Sequence, residues 1–136
     1  MTDSVAGFQL NLESIIHASD GWVPFRDGVE IYRLKGDGKM GSSSALLRYG
    51  PGARVPSHVH GGHEHILVLS GSQRDERGHY VTGTLVINSP GSRHEVTSDE
   101  GCVVLVIWEA PVIFETGAPE PDESPRTLSS STHRDS

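Results

Sequence analysis

From Trp22 onward, apolar residues fall in short runs, several of them alternating with polar positions and each bounded by Gly or Pro. This pattern predicts strands at Val29–Leu34, Ser44–Tyr49, Arg54–Val59, Glu64–Leu69, Tyr80–Ile87, His94–Thr97, Cys102–Glu109 and Val112–Thr116. Turn signals separate them, among them Gly36-Asp37-Gly38, Gly50-Pro51-Gly52, Gly61-Gly62 and Ser89-Pro90-Gly91-Ser92. Many short strands with no helical pattern of useful length predict an all-β sandwich or barrel. Ile66–Leu69 and Val103–Trp108 are continuously apolar, which predicts strands buried on both faces. Their inner face would fill a barrel and their outer face would need cover, for which a second copy of the chain is the candidate. Residues 1–21 read as an N-terminal extension, a strand or a short helix over Glu13–Ser19. Residues 22–116 form the predicted barrel. Beyond it, 117–136 is rich in Pro, Ser and acidic residues, and such composition predicts a flexible tail.

Charge and cysteine content narrow the class. With 11 basic and 18 acidic residues the formal net charge is −7, which argues against a nucleic-acid partner. The longest apolar run is far shorter than a membrane span of ~20 residues. Met1-Thr2-Asp3-Ser4 lacks the basic start and apolar centre of a signal peptide, and a lone Cys102 suits a reducing compartment. The expectation is a cytoplasmic, single-domain protein. Against this bland background stand 8 His, with five of them between Ser57 and His79.

On a strand, side chains at i and i+2 share a face, so His58 and His60 present two imidazoles side by side with Val59 opposite. Gly61-Gly62 permits a tight turn, and the following strand can return Glu64 towards the pair. A fourth donor must come from elsewhere, and His94 follows the Pro90-Gly91 turn at the head of a later strand. Three imidazoles and a carboxylate suit one divalent transition metal: Fe(II) first, with Zn, Ni, Mn or Cu as alternatives. The bland alternative is a pair of solvated histidines on a strand.

These residues resemble the cupin superfamily. Its first motif, G(x)5HxH(x)3E(x)6G, is met by Gly52, His58, His60, Glu64 and Gly71. In the second, G(x)5PxGxxH, the Gly91-Ser92-Arg93-His94 part is intact, but six residues separate Gly83 from Pro90 and Pro90 abuts Gly91. Leu47–Ala53, Val68–Gly71, Asp75–Gly78, Pro90–His94 and Gly101-Cys102 are similar to the cupin domain of ChrR-type anti-sigma factors and free-standing relatives. The resemblance implies a cupin-type conical β-barrel (a double-stranded β-helix or jelly roll). It also implies a homodimer, and one metal held by His58, His60, Glu64 and His94. His63-Glu64-His65 departs from the Gly and acidic residues usual in that group. The chain lacks room for the helical zinc-binding domain that contacts a sigma factor in that group, which weakens the expectation of sigma-factor control.

The remaining residues carry weaker expectations. His63 and His65 should face away from the interior, and His79 should be solvated at a hairpin tip. Arg48 faces either into the cavity, to hold a substrate carboxylate, or outward. Tyr49, Trp108 and Trp22 are expected to supply packing area, and Cys102 to behave as a small hydrophobe. The leading functional expectation is a mononuclear Fe(II)-type dioxygenase acting on a small organic substrate, with the metal centre itself as the catalytic element. The alternative is a non-catalytic ChrR-like sensor or regulatory module with structural zinc. A non-redox isomerase acting on a sugar-like molecule is a third.

Overall fold

The computed structural model describes residues 7–115. It opens with a single-turn helix, α1 (Leu12–Ile16), capped by Asn11, whose side-chain oxygen accepts from the Ser14 N–H at 2.9 Å. Ten strands follow: β1 (Val23–Arg26), β2 (Val29–Lys35), β3 (Ser43–Tyr49), β4 (Arg54–His60), β5 (Glu64–Asp75), β6 (Gly78–Val81), β7 (Leu85–Asn88), β8 (Arg93–Thr97), β9 (Cys102–Trp108) and β10 (Val112–Phe114). All pairings are antiparallel. The strands order β1-β2-β3-β9-β5-β8-β4-β10, with β6 and β7 also on β5, and the sheet curls into the cupin barrel. Among the described residues, no helix is long and apolar enough to cross a membrane.

Alternation decides what faces inward. Val29 and Ile31 of β2, Ala45, Leu47 and Tyr49 of β3, Ile66 and Val68 of β5, and Val104 and Val106 of β9 form the buried core with Phe25, Val55 and Val96. Across β3, β9, β5 and β7 the inward residues make rows: Ser43–Trp108–Glu64–Asn88, then Ala45–Val106–Ile66–Val86. One end of the barrel is therefore polar, above an apolar floor.

Three strand expectations are corrected. β5 does not end at Leu69. It passes a bulge between Val68 and Ser70 and continues to Asp75, leaving β9 and β7 for β6 and β8. The predicted strand Tyr80–Ile87 is two strands, because β6 and β7 lie on different halves of β5. The turn between them is pinned to Val68, which accepts from Gly83 N–H at 2.8 Å and donates to the Thr84 carbonyl at 3.0 Å. β1 lies outside the predicted strands. The two continuous apolar runs are not buried along the whole of both faces: Val103 is buried, but Leu67 and Leu105 are half-buried and Ile107 is exposed. The helix and Trp22 pack on their own chain, with Trp22 edge-on to Tyr32 at 5.6 Å and its indole N–H on the Ile15 carbonyl at 3.1 Å. The expected tail, 117–136, lies outside the described residues.

Gly71 is where β5 changes sheets. Its φ of +75° favours glycine, and a Cβ there would collide with the Gly101 carbonyl. Gly71→Ala is expected to lower stability by about 3 kcal/mol in chemical denaturation; an unchanged midpoint would show that the crossover can relax.

Candidate metal centre

The structure brings His58, His60, Glu64 and His94 together: one donor atom from each lies within 4.8 Å of all the others. All four side chains are buried, none more than 4 % exposed. β4 supplies His58 and His60, and β8 places His94 directly opposite His58 across the ladder. Glu64 arrives at the start of β5, after the Gly61-Gly62 turn. The Gly91-Ser92 turn is clamped to His60 by paired backbone hydrogen bonds, Gly91 N–H to the His60 carbonyl at 2.8 Å and His60 N–H to the Ser92 carbonyl at 2.9 Å. Despite its displaced proline, the second motif thus brings His94 to the site.

Each imidazole is oriented from outside by its Nδ1. His58 Nδ1 lies 2.8 Å from the Pro56 carbonyl, which has no proton to give, so Nδ1 donates. His60 Nδ1 lies 2.9 Å from Ser92 Oγ, whose own proton goes to the Ser89 carbonyl at 2.6 Å, so Nδ1 donates again. His94 Nδ1 donates to Asp75 Oδ2 at 2.9 Å. Burial acts to raise the Asp75 carboxyl, but the bonds from His94, the Arg77 N–H and the Tyr80 hydroxyl hold it below its ordinary value. With every Nδ1 proton directed outward, the Nε2 lone pairs face the centre.

The carboxylate is held just as firmly. Glu64 Oε1 accepts from Asn88 Nδ2 at 2.9 Å and Oε2 accepts from the Trp108 indole N–H at 2.7 Å. Arg77 in turn donates to Asn88 Oδ1 at 3.1 Å, fixing the amide. His60 Nε2 stands 2.9 Å and His94 Nε2 3.6 Å from Glu64 Oε1. Neither contact has hydrogen-bond geometry, and both Nε2 atoms are buried without a hydrogen-bond partner. Lone pairs converging in an apolar cavity are costly unless a cation satisfies them. The donor set therefore fits a divalent metal ion. Burial pushes the His58 imidazole down to about 4, keeping it neutral and able to ligate. For Glu64, burial acts upward, but the adjoining His60 and the other imidazoles outweigh it and hold the carboxyl below its usual value.

Other expectations resolve around this centre. His63 is exposed and pairs with Glu109 at 3.0 Å, His65 is half-buried on the outer face, and His79 is exposed. Arg48 points outward: it makes two bonds to Glu30 Oε1, at 2.7 and 2.9 Å, and lies over the Trp22 ring. Cys102 is a buried thiol whose pKa burial raises. Trp108 is more than packing area, since its N–H fixes the carboxylate. Asn88, Asp75 and Ser92 were not singled out from sequence. Trp108 shares the inward parity of Val104 and Val106, a signal that was readable; the other three needed the folded chain.

The model of the ChrR cupin-like domain family matches residues 13–111. The chain is 34% identical over 83 residues to the anti-sigma-E factor ChrR of Cereibacter sphaeroides, covering 59% of this chain and 39% of that protein. The structure of Rhodobacter sphaeroides SigE in complex with the anti-sigma ChrR matches with a TM-score of 0.57 and 29% identity, over 64% of this chain and 47% of that one. An acetylacetone dioxygenase from Acinetobacter johnsonii shares the fold, with a TM-score of 0.69 and 14% identity over 91% of this chain and 89% of that one.

Replacing Trp108 by Phe strands one oxygen of a buried carboxylate. Trp108→Phe is expected to lower the stability of metal-free protein by about 1–3 kcal/mol, read from urea denaturation; no change would mean the indole bond carries no net stability.

Proposed function

The chain belongs to the ChrR cupin-like domain family, and on that premise we propose that it is a mononuclear metal-dependent dioxygenase of Fe(II) type acting on a small organic substrate. The observation that carries the reading is the convergence of His58, His60, Glu64 and His94 with two buried imidazole lone pairs left unsatisfied. Nitrogen and oxygen donors without thiolate accept Fe(II), and four protein donors leave positions open on a six-coordinate ion. When bound, such an ion supplies Lewis acidity and electrons for dioxygen chemistry. The chain's own part is to present three Nε2 donors and one carboxylate oxygen in fixed orientation. Apolar walls around them exclude water. Asp75 differs from the other two outer partners in being a carboxylate, so it makes His94 the most electron-rich imidazole of the three.

The 34% identity to an anti-sigma factor supports a second reading, a sensing or regulatory module with structural zinc. Metal analysis of protein expressed with iron and purified anaerobically, followed by oxygen uptake with small diketones, phenols and thiols, separates the two. Near-stoichiometric iron with substrate-dependent uptake supports the oxygenase; zinc that iron cannot displace, with no uptake, supports the module. His94→Ala is expected to weaken metal binding by more than about a hundredfold, since loss of an outer partner alone costs up to that much. His63→Ala and His65→Ala should leave it unchanged. Full metal content in His94→Ala would remove His94 from the ligand set.

We also propose a homodimer in the cytoplasm. The outer face of β7, β5 and β9 carries adjoining rows Leu85–Leu67–Leu105 and Ile87–His65–Ile107, with Leu85, Ile87 and Ile107 exposed. A second copy offers the same rows under two-fold symmetry. Ile87→Asp should convert a dimer to a monomer in sedimentation equilibrium; a wild-type monomer would overturn the assignment.

A further inference from the structure

The cavity among the metal-centre residues measures only about 20 Å³, room for no more than a water molecule. A second cavity of about 420 Å³ adjoins it and shares Phe25, Trp108, Val112 and Phe114 as a common wall. That volume lies in the range of small-molecule sites. The rest of its lining is Arg33, Asp37, Gly38, Lys39, Ser43 and Pro111.

One lining group has no work within the protein. Ser43 is 4 % exposed, and its hydroxyl is buried without a hydrogen-bond partner. It stands in the same inward row as the metal centre, Ser43–Trp108–Glu64, two strands from the carboxylate and therefore about 10 Å away along the row. The rim is cationic. Lys39 and Arg33 line the chamber, while the one acid, Asp37, has Oδ1 engaged by the Lys39 and Met40 N–H groups at 2.8 and 3.4 Å. Gly38 shapes that wall: its φ is +77°, and a Cβ would strike the Arg33 guanidinium. Across the chamber, Phe114 stands opposite His58 in the ladder, its ring 5.4 Å from the imidazole.

We propose that this chamber is the substrate pocket of the metal centre and selects a small carboxylic acid with an apolar body. The carboxylate accepts from the Ser43 hydroxyl and faces Lys39. The body lies between Phe25, Phe114 and Val112, directing its far end past Trp108 towards Glu64 and His58. A buried hydroxyl without a partner gives specificity, because a ligand that satisfies it gains what one lacking an acceptor cannot. This assignment rests on the metal-centre reading for the pocket's purpose, but ligand binding can be measured without turnover.

The test is a titration of the purified full chain with phenylacetate and its neutral twin phenylacetamide, followed by NMR shifts at the Trp108 indole and the Ser43 amide. Phenylacetate should bind and shift both signals, with phenylacetamide about fivefold weaker, because its carbonyl still accepts from Ser43 and only the pairing with Lys39 is lost. Ser43→Ala should weaken phenylacetate by about tenfold, and Lys39→Glu by about fivefold, each at unchanged melting temperature. Val112→Phe should weaken binding by narrowing the chamber beside Phe25 and Phe114. Equal binding of acid and amide, no binding of either, or affinities indifferent to both Ser43→Ala and Lys39→Glu would overturn the proposal. In that last case the carboxylate would be sitting on the metal itself. Binding with the expected sensitivities but no oxygen uptake by iron-loaded protein would uphold the pocket and remove the oxygenase reading. Uptake with acids that Val112→Phe leaves intact would do the reverse.

Discussion

Three imidazole lone pairs and a carboxylate meet inside a barrel that leaves the Nε2 atoms of His60 and His94 without a hydrogen-bond partner. Each Nδ1–H is committed outward, to the Pro56 carbonyl, the Ser92 hydroxyl or the Asp75 carboxylate, so the inward Nε2 atoms have only lone pairs to present. In an apolar interior such an arrangement is unfavourable on its own and favourable around a cation. Much of the surrounding structure serves to hold that arrangement. β4 and β8 pair in the register that sets His58 against His94, the Gly91-Ser92 turn binds the His60 backbone, and β5 delivers Glu64 between Asn88 and Trp108.

The barrel makes this possible by separating its two jobs. Below the polar row, the inward residues of β2, β3, β5 and β9 are mostly aliphatic and supply the stability through burial. The polar row itself contributes orientation. Trp108 belongs to both, packing in the core while its indole N–H fixes one carboxylate oxygen. The long β5 links the halves: its first part carries Glu64 against β9 and β7, and its last residue, Asp75, reaches His94. A disturbance of the crossover at Gly71 therefore bears on a ligand and on a ligand's partner together.

Size separates the metal centre from the adjoining chamber. The space among the four donors is too small for an organic molecule, whereas the adjoining chamber has the volume, the aromatic wall and an unsatisfied hydroxyl. In this arrangement Phe114 and Trp108 stand between the two spaces, each touching chemistry on one side and the chamber on the other.

The all-β class, most strand positions and the four candidate donors were legible in the sequence, because strand periodicity and the His58-x-His60-x3-Glu64 spacing are local properties that survive without the fold. The strand breaks were less legible. Val81 and Leu85 look continuous along the chain, and only the pairing of β6 and β7 to different halves of β5 separates them. Arg48 could have faced either way until Glu30 on the neighbouring strand and Trp22 engaged it from outside. Tertiary structure alone decided the partners that orient the centre, since Asp75 lies 19 residues from His94, Asn88 24 from Glu64 and Trp108 44 from it. Such contacts depend on register across strands distant in sequence, where a shift of one residue turns a side chain from the interior to the surface.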